Sequence, residues 1–547
     1  IVDKLNFAFE LEKEELVFTD TNFKLDNLNF YSNNLTVKKT ENKFFVKGEI
    51  DHQKFDLDSP QLDSFKSFFG KTEVKEIVFN SKNIFSFNLS KKLKLNNLEV
   101  VSKINLFKLS ILNDLSLKDI FPKIKDKIHL SNNNLEIEYK NEKLSIIGDG
   151  KILLQDNEDE ISYKLERTND DFKLESALKI NDNPLILNLL NYEKKKDATI
   201  NIRGSIINNQ NFVNSFILKE ENNSFSLKNL RFSKNNKIKK IDQLDINYLD
   251  KDGKKNSLSL LRKDKEYILE GSYFNVDNLI ENILNNENEN SKILDINNLL
   301  KIDINKVGID KDNYLSNLKG TLVFRGQQIV RGKLEGFFSE DEKLKLTVNT
   351  NGNDKVTTLF LDQAKPIVRR YKFIKGFEEG KLDFYSSNNG EESSSTLKIY
   401  NFKLKELPGL TKVLTLASLQ GIADILSGEG IRFDEFEMNF RNKKDLITID
   451  EIYAIGPAIS VLMNGYIEKN RLISLRGTLV PATTINKFIG SLPILGDILV
   501  GSKTGEGVFG VSFKIKGPPK KLETTVNPVK TLTPRFITRT LEKIRKN

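Results

Sequence analysis

Apolar and polar residues alternate along much of this chain. Leu5, Phe7, Phe9 and Leu11 are separated by Asn6, Ala8 and Glu10; Phe85, Phe87 and Leu89 by Ser86 and Asn88. Phe436, Met438 and Phe440 flank Glu437 and Asn439, and Phe509, Val511, Phe513 and Ile515 alternate with Gly510, Ser512 and Lys514. A period of two sends every second side chain to one face of a sheet. One face is then apolar and the other wet, as in antiparallel sheets. Turn-forming runs separate these segments. Ser386-Ser-Asn-Asn-Gly390 lies between the strand-like stretches 381–385 and 396–404, and Gly326-Gln-Gln lies between 320–325 and 329–337. Both predict hairpins. The segment Asn285-Asn-Glu-Asn-Glu-Asn-Ser291 is poor in apolar residues and predicts a linker.

Helical periodicity is sparse. It marks 276–284, a stretch around Pro366 within 362–377, the Ala/Leu-rich 410–426, and the apolar 485–499, which Pro493 interrupts. In 534–546, Ile537, Leu541 and Ile544 recur at helical spacing beside Arg539, Lys543 and Lys546, a basic amphipathic helix. The predicted fold is mainly β: a long curved antiparallel sheet with a few short helices, mostly toward the C-terminal end. Strand-and-turn units of about 16 residues give ~30 strands, and spacing of about 4.8 Å carries a continuous sheet to ~140 Å. So many one-sided strands need a cover that so few helices cannot supply. A second sheet, closure into a barrel, or an open trough filled by another molecule each satisfies the pattern equally. Acyl chains suit a trough, since each buried methylene contributes about 0.8 kcal/mol.

Composition removes many chemistries. The 547 residues include no cysteine, which excludes disulfides, thiolate metal sites and cysteine nucleophiles. His52 and His129 are the only imidazoles, so a multi-histidine metal site or a histidine-centred catalytic triad is not expected. Gly501 and Gly505-Glu-Gly507 lack the Gly-Lys-Ser/Thr of a phosphate loop. No enzyme activity and no cofactor are expected. Mean hydropathy is −0.40, and no apolar run reaches the ~18 residues of a membrane-spanning helix. The chain starts at Ile1, not Met, which predicts a fragment or processed product, so a missing N-terminal signal or anchor is no evidence against export. Of the net charge of +9, most sits in 514–547, which holds ten basic and two acidic side chains. A basic end on a balanced body predicts a local contact with anionic headgroups or an acidic partner, about 1 kcal/mol per cation near such a surface. A solvated terminal helix is the plainer alternative. No aromatic–basic interleaving accompanies the charge, so nucleic acid is not an expected partner.

The region from about 362 to 534 carries an ordered set of short motifs. These are Leu407-Pro-Gly-Leu, Leu416-Ala-Ser-Leu-Gln-Gly-Ile, Leu426-Ser-Gly-Glu-Gly-Ile-Arg-Phe433, Gly456-Pro-Ala-Ile, and Gly477-Thr-Leu-Val-Pro481 with Ile485-Asn486. Leu492-Pro-Ile-Leu-Gly-Asp-Ile-Leu-Val-Gly501, Gly505-Glu-Gly-Val-Phe-Gly-Val, Val526-Asn-Pro528 and Leu532-Thr-Pro complete it. The set covers roughly a third of the chain and resembles the C-terminal region of the AsmA-like family, in particular its long YhdP-type members. The chain departs from the family at Pro534-Arg535, where Pro-Gly is usual. The resemblance implies a β-structured envelope protein of a double-membraned bacterium, anchored in the inner membrane and crossing the periplasm. It further implies a greasy groove that moves phospholipid toward the outer membrane, with membranes at both ends of the full-length protein and a protein partner in one of them.

Together these readings divide the chain into a repetitive β-groove region (1–284), a linker or loop (285–297), a continued groove (298–405), and a C-terminal AsmA-like region with capping helices and the basic tail (406–547). The expected groove lining is Phe7, Phe9, Leu11, Phe85, Phe87, Leu89, Phe436, Met438, Phe440, Phe509 and Phe513. Ile485, Phe488, Ile494, Leu495 and Ile498, with Arg535, Arg539, Lys543 and Arg545, are the expected membrane or partner contacts. For 485–499 the alternative is a cap over the sheet edge. The rival function is a periplasmic scaffold or assembly factor for outer-membrane proteins that offers a β edge. A self-filled structural β-repeat is a third reading.

Overall fold

The structure is a computed structural model. It describes residues 2–25, 28–58, 62, 73–113, 117–208, 210–233, 238–280, 297–326, 328–370, 375–406, 411, 413–414, 428–469, 471–481, 509–519 and 521–531. The chain is mainly β, with 33 strands and two short helices among the described residues. It divides into two compact units between Asp264 and Lys265. The low-complexity segment 285–291 lies outside the described residues.

The first unit is an antiparallel meander from Val2–Glu12 to Lys255–Lys263. Glu15–Leu25 pairs with Val2–Glu12 on one side and, on the other, with the two short strands Leu28–Ser32 and Leu35–Lys39. Three long strands follow: Lys43–Asp58, Val74–Ser90 and Leu95–Leu112. Antiparallel register places directly opposed residues on one face. A single transverse row therefore runs His52, Ser81, Ile104, Leu135, Gly148, Tyr163, Ser176, Ile202, Phe216, Leu227, Leu244, Leu260, one residue per strand. None of these side chains is charged at neutral pH, because burial lowers the His52 pKa to about 4. The row one residue along faces the other way and reads Asp51, Lys82, Lys103, Glu136, Ile147, Lys164, Glu175, Arg203. The alternation in sequence has become an apolar face and a charged face.

Irregularities keep the two faces in phase. In Lys43–Asp58 the inward set is Val46, Gly48, Ile50 and His52 up to Gln53-Lys54, then Phe55 and Leu57. A register shift between His52 and Phe55 absorbs the change of parity. One extra residue in a strand bends it and returns the next side chains to the same face. One end of the unit is closed by the segment 181–197. There Tyr192, fully buried, packs edge-on to Phe225 and Tyr248 with ring centroids 4.8 and 5.8 Å away. Its hydroxyl donates to Glu220 Oε2 at 2.7 Å, and the Lys195 and Lys196 amides donate to Oε1 at 2.5 and 2.6 Å. Burial alone would raise the Glu220 pKa. These hydrogen bonds, with one from Asn223, outweigh it and hold the carboxyl below its ordinary value.

The second unit begins with a parallel pair, Glu266–Asn275 with Leu299–Gly308. Parallel neighbours need a crossover connection. Residues 277–280 of that connection are helical, the described part of the helix expected at 276–284. The remainder is an antiparallel meander up to Glu523–Thr531. Both expected hairpins form: Lys375–Asn388 pairs with Ser393–Glu406, and Tyr314–Arg325 with Gln328–Phe337. The helix expected around Pro366 is one turn, Lys365–Val368, with proline in its first turn, where its missing N–H costs nothing. Thr411, Val413 and Leu414 are helical; most of 410–426, all of 485–499 and all of 534–546 lie outside the described residues. The apolar row of this unit is Ile302, Gly320, Leu334, Leu346, Leu359, Phe384, Leu397, Met438, Ile452, Met463, Gly477, Phe513 and Val526.

Glycines on the apolar rows mark places where a neighbour's side chain lies over the backbone. A Cβ at Gly148 would stand 2.6 Å from the Tyr163 ring and 2.8 Å from Leu135 Cδ2. Both contacts are closer than a Cβ tolerates, so the two side chains would have to shift. Gly148→Val is expected to destabilise the chain by about 1–3 kcal/mol through overpacking, read as a lower urea midpoint by circular dichroism, whereas Ile147→Val on the exposed face leaves the midpoint within error.

Candidate functional site

Among the described residues, the apolar face is the feature of the expected site that the structure assembles. In the first unit the ladder joins Phe9 to Phe18, Leu35, Gly48, Phe85 and Val100 in one row, and Leu11 to Leu16, Val37, Val46 and Phe87 in the next. Four of the expected lining residues, from strands far apart in sequence, thus share one face. Leu89 follows on that face opposite Phe44. Phe85, Phe87 and Leu89 are half-buried. Phe7, Phe9 and Leu11 keep 47, 59 and 71 % of their surface exposed. A filled protein core would bury such side chains fully.

In the second unit, Met438 lies on the apolar row, and Phe436 and Phe440 lie beside it on the same face. All three are half-buried. A register shift opposite Asn439 and Phe440 leaves Asp450 of the neighbouring strand Leu446–Ile455 unpaired in the ladder and brings Ile449 opposite Phe440. Phe513 lies on the row and is buried, at 6 % exposure, in a cluster with Leu479, Val461 and Ile459. Phe509 begins the strand Phe509–Gly517, and its side chain lies outside the described set. Ile485, Phe488, Ile494, Leu495, Ile498, Arg535, Arg539, Lys543 and Arg545 also lie outside the described residues.

The two ends of the strand rows differ in the second unit. At one end, Phe377, Phe402 and Phe433 stack with ring centroids 5.3 Å apart at each step. Val368 and Leu414 are buried in the same cluster. This end is protein core. Four residues along from the apolar row, toward the opposite strand ends, the same face turns polar: Thr350, Lys355, Asn388, Ser393 and Asn442 are directly opposed in turn. Thr350 Oγ1 and Asn442 Oδ1 are buried without a hydrogen-bond partner, and burial lowers the Lys355 pKa. Among the described residues Lys355 has no acidic partner. The other lysines of these strands, such as Lys345, Lys381 and Lys398, point to the opposite face and pair with Glu335, Asp362 and Glu437.

The first unit also holds a well-formed cavity of about 560 Å³ on its apolar face. Phe30, Ile50, Phe55, Leu57, Leu62, Ile77, Phe79, Phe85, Leu98 and Val100 line it, with three polar side chains, His52, Ser81 and Asn83. The aromatic rings form a chain: Phe23 stacks on Phe30 at 4.9 Å, Phe30 meets Phe55 at 5.8 Å, and Phe55 meets Phe79 at 5.0 Å. Asn83 Nδ2 donates to the Ile50 carbonyl at 2.9 Å and to Ser81 Oγ at 3.0 Å. His52 is 7 % exposed, and neither ring nitrogen has a partner. Burial pushes its pKa down to about 4, so the imidazole is neutral at pH 7. Of this pocket, sequence reading identified Phe85 alone. The parity change at Gln53-Lys54 breaks the alternation around Phe55, and Phe30 sits on a five-residue strand too short to show a period. A signal did exist: His52 and Phe55 flank a break in an otherwise regular alternation, which marks a bulge. Among the described residues no cluster of acidic and histidine side chains could hold a metal ion, and no helix is long and apolar enough to cross a membrane.

The His52 pKa has a thermodynamic consequence. Its folded value, about 4, lies below the ordinary 6.5, so the unfolded chain takes up the proton first as pH falls. Stability in urea should therefore decline from about pH 6.5 to about pH 4. His52→Phe removes its share of that slope, leaving the share of His129, whose pKa burial and Lys108 also lower. Lys355→Met, which removes a desolvated cation, should raise the urea midpoint at pH 7. Compared with known proteins, the chain matches no family model and no curated protein.

Proposed function

We propose that this chain is a bridge-like carrier of phospholipid between the two membranes of a bacterial envelope, with acyl chains against the apolar sheet face and headgroups in water. The observation that carries this reading is the uncharged row on each unit, continued strand after strand by antiparallel register and only half-buried along much of its length. Attraction between methylenes and such a face has no direction, so a chain can slide without a deep minimum at any one step. The polar rung at Thr350, Lys355 and Asn388 lies at the strand ends, where a headgroup would meet water. The periplasmic location, the inner-membrane anchor and the direction toward the outer membrane rest on the resemblance of the 362–534 region to the AsmA-like family. No reaction is ascribed to the chain, and no cofactor is invoked.

A scaffold that helps outer-membrane proteins assemble is the second reading, and one observation favours it. Among the described residues Val2–Glu12 pairs only with Glu15–Leu25, and no strand among them covers its second edge. Such an edge can accept a strand from another chain.

Native mass spectrometry of the purified chain separates the two: the carrier retains phospholipid, and the scaffold does not. Phe87→Asp places a carboxylate on the apolar face beside Phe85, whose ring centroid is 5.9 Å away. This variant should cut lipid transfer between donor and acceptor vesicles at least tenfold while leaving the circular dichroism spectrum unchanged. Transfer at the unmodified rate in a folded Phe87→Asp chain rules the carrier out.

A further inference from the structure

The His52 cavity holds, in mid-strand, an imidazole with no hydrogen-bond partner on either ring nitrogen. The unpaired imidazole is more than nine-tenths buried and lines the cavity. A buried polar group without a partner is costly, and its persistence calls for an explanation. Ser81 lies directly across the ladder from His52. Its oxygen accepts from Asn83, which leaves its own proton to donate. Two donors, one an imidazole N–H and the other a hydroxyl, therefore sit among Phe30, Phe55, Phe79 and Phe85.

The lining also says what the missing partner is not. It contains no lysine or arginine. A phosphate or a free carboxylate would arrive charged and stay uncompensated in an apolar wall, at high cost. The group that fits is a neutral acceptor attached to an apolar chain. About 560 Å³ is within the range of a small-ligand site.

We propose that this cavity is a discrete lipid-binding station that takes one acyl chain and hydrogen-bonds the ester carbonyl at its head through His52 and Ser81. This rests on the carrier reading and adds to it: the face is not uniform, and an ester-linked lipid pauses here in a defined position. A lipid with ether-linked chains has the same apolar bulk and lacks the acceptor.

The chain has no tryptophan, so Leu98→Trp puts a single fluorophore in the cavity wall. The full chain with this reporter is titrated with a short-chain, water-soluble diacyl phosphatidylcholine and with its diether counterpart. The diester should bind about fivefold more tightly, the contribution of one net hydrogen bond. His52→Phe should bring the two affinities together by weakening the diester alone, and His52→Gln, which keeps a donor, should preserve part of the preference. Ser81→Ala removes the second donor and tests the same ratio should His52→Phe fail to fold. Equal affinities in the His52 chain, or a ratio that His52→Phe and Ser81→Ala leave unchanged, overturn the station while leaving the carrier intact. No fluorescence response to either lipid overturns the station, and the carrier is decided separately by lipid transfer between vesicles.

Discussion

An apolar sheet face must be covered, and the way this protein meets that demand organises everything else about it. The antiparallel ladder propagates one choice of face across strand after strand, because opposed residues share a side. Once Leu346 faces inward, Leu359, Phe384, Leu397 and Met438 must follow. The result is a one-sided surface whose area grows with every hairpin. Part of it is covered from within. The stacked Phe377, Phe402 and Phe433, with Val368 and Leu414, form a self-contained core. The Tyr192–Phe225–Tyr248 cluster does the same for one end of the first unit. Outside these clusters each unit keeps half-buried phenylalanines on the same face, Phe85 and Phe87 in the first and Phe436 and Phe440 in the second.

The charged face contributes solubility more than stability. Its ion pairs, such as Lys319–Asp303 at 2.9 Å and Arg441–Asp450 at 2.7 Å, are largely exposed. Exposed pairs contribute about 0–1 kcal/mol each. Their structural effect is to penalise a register slip, since a shift of one residue would carry lysines and glutamates onto the apolar side. Bulges between His52 and Phe55, between Ser131 and Asn134, and at Asp450 opposite Asn439 and Phe440 correct the phase.

Two groups of polar residues on the apolar side differ in their physics. Thr350, Lys355 and Asn388 lie near hairpin ends, where water is close. His52, Ser81 and Asn83 lie in mid-strand inside a cavity. The first group suits the boundary of a groove. In the second, the unpaired imidazole of His52 is a cost to stability that a hydrogen-bonding ligand would offset.

Alternation alone determined that the chain is mainly β, that its strands are one-sided, and that residues such as Phe85, Phe87, Phe436 and Met438 lie on the apolar face. Period two is a local property, set by backbone geometry within each strand, and so it is legible without any partner. Composition likewise removed cysteine and histidine-rich chemistry before any fold was known. Tertiary structure decided the rest, because it depends on register between strands. Only pairing shows that Phe9 shares a row with Phe85, that Phe513 is buried while Phe7 is exposed, and that a bulge at Gln53-Lys54 brings Phe55 beside His52. The break in alternation at Gln53-Lys54 is the pocket's one trace in the sequence, because its walls come from several strands and its shape depends on which residue opposes which.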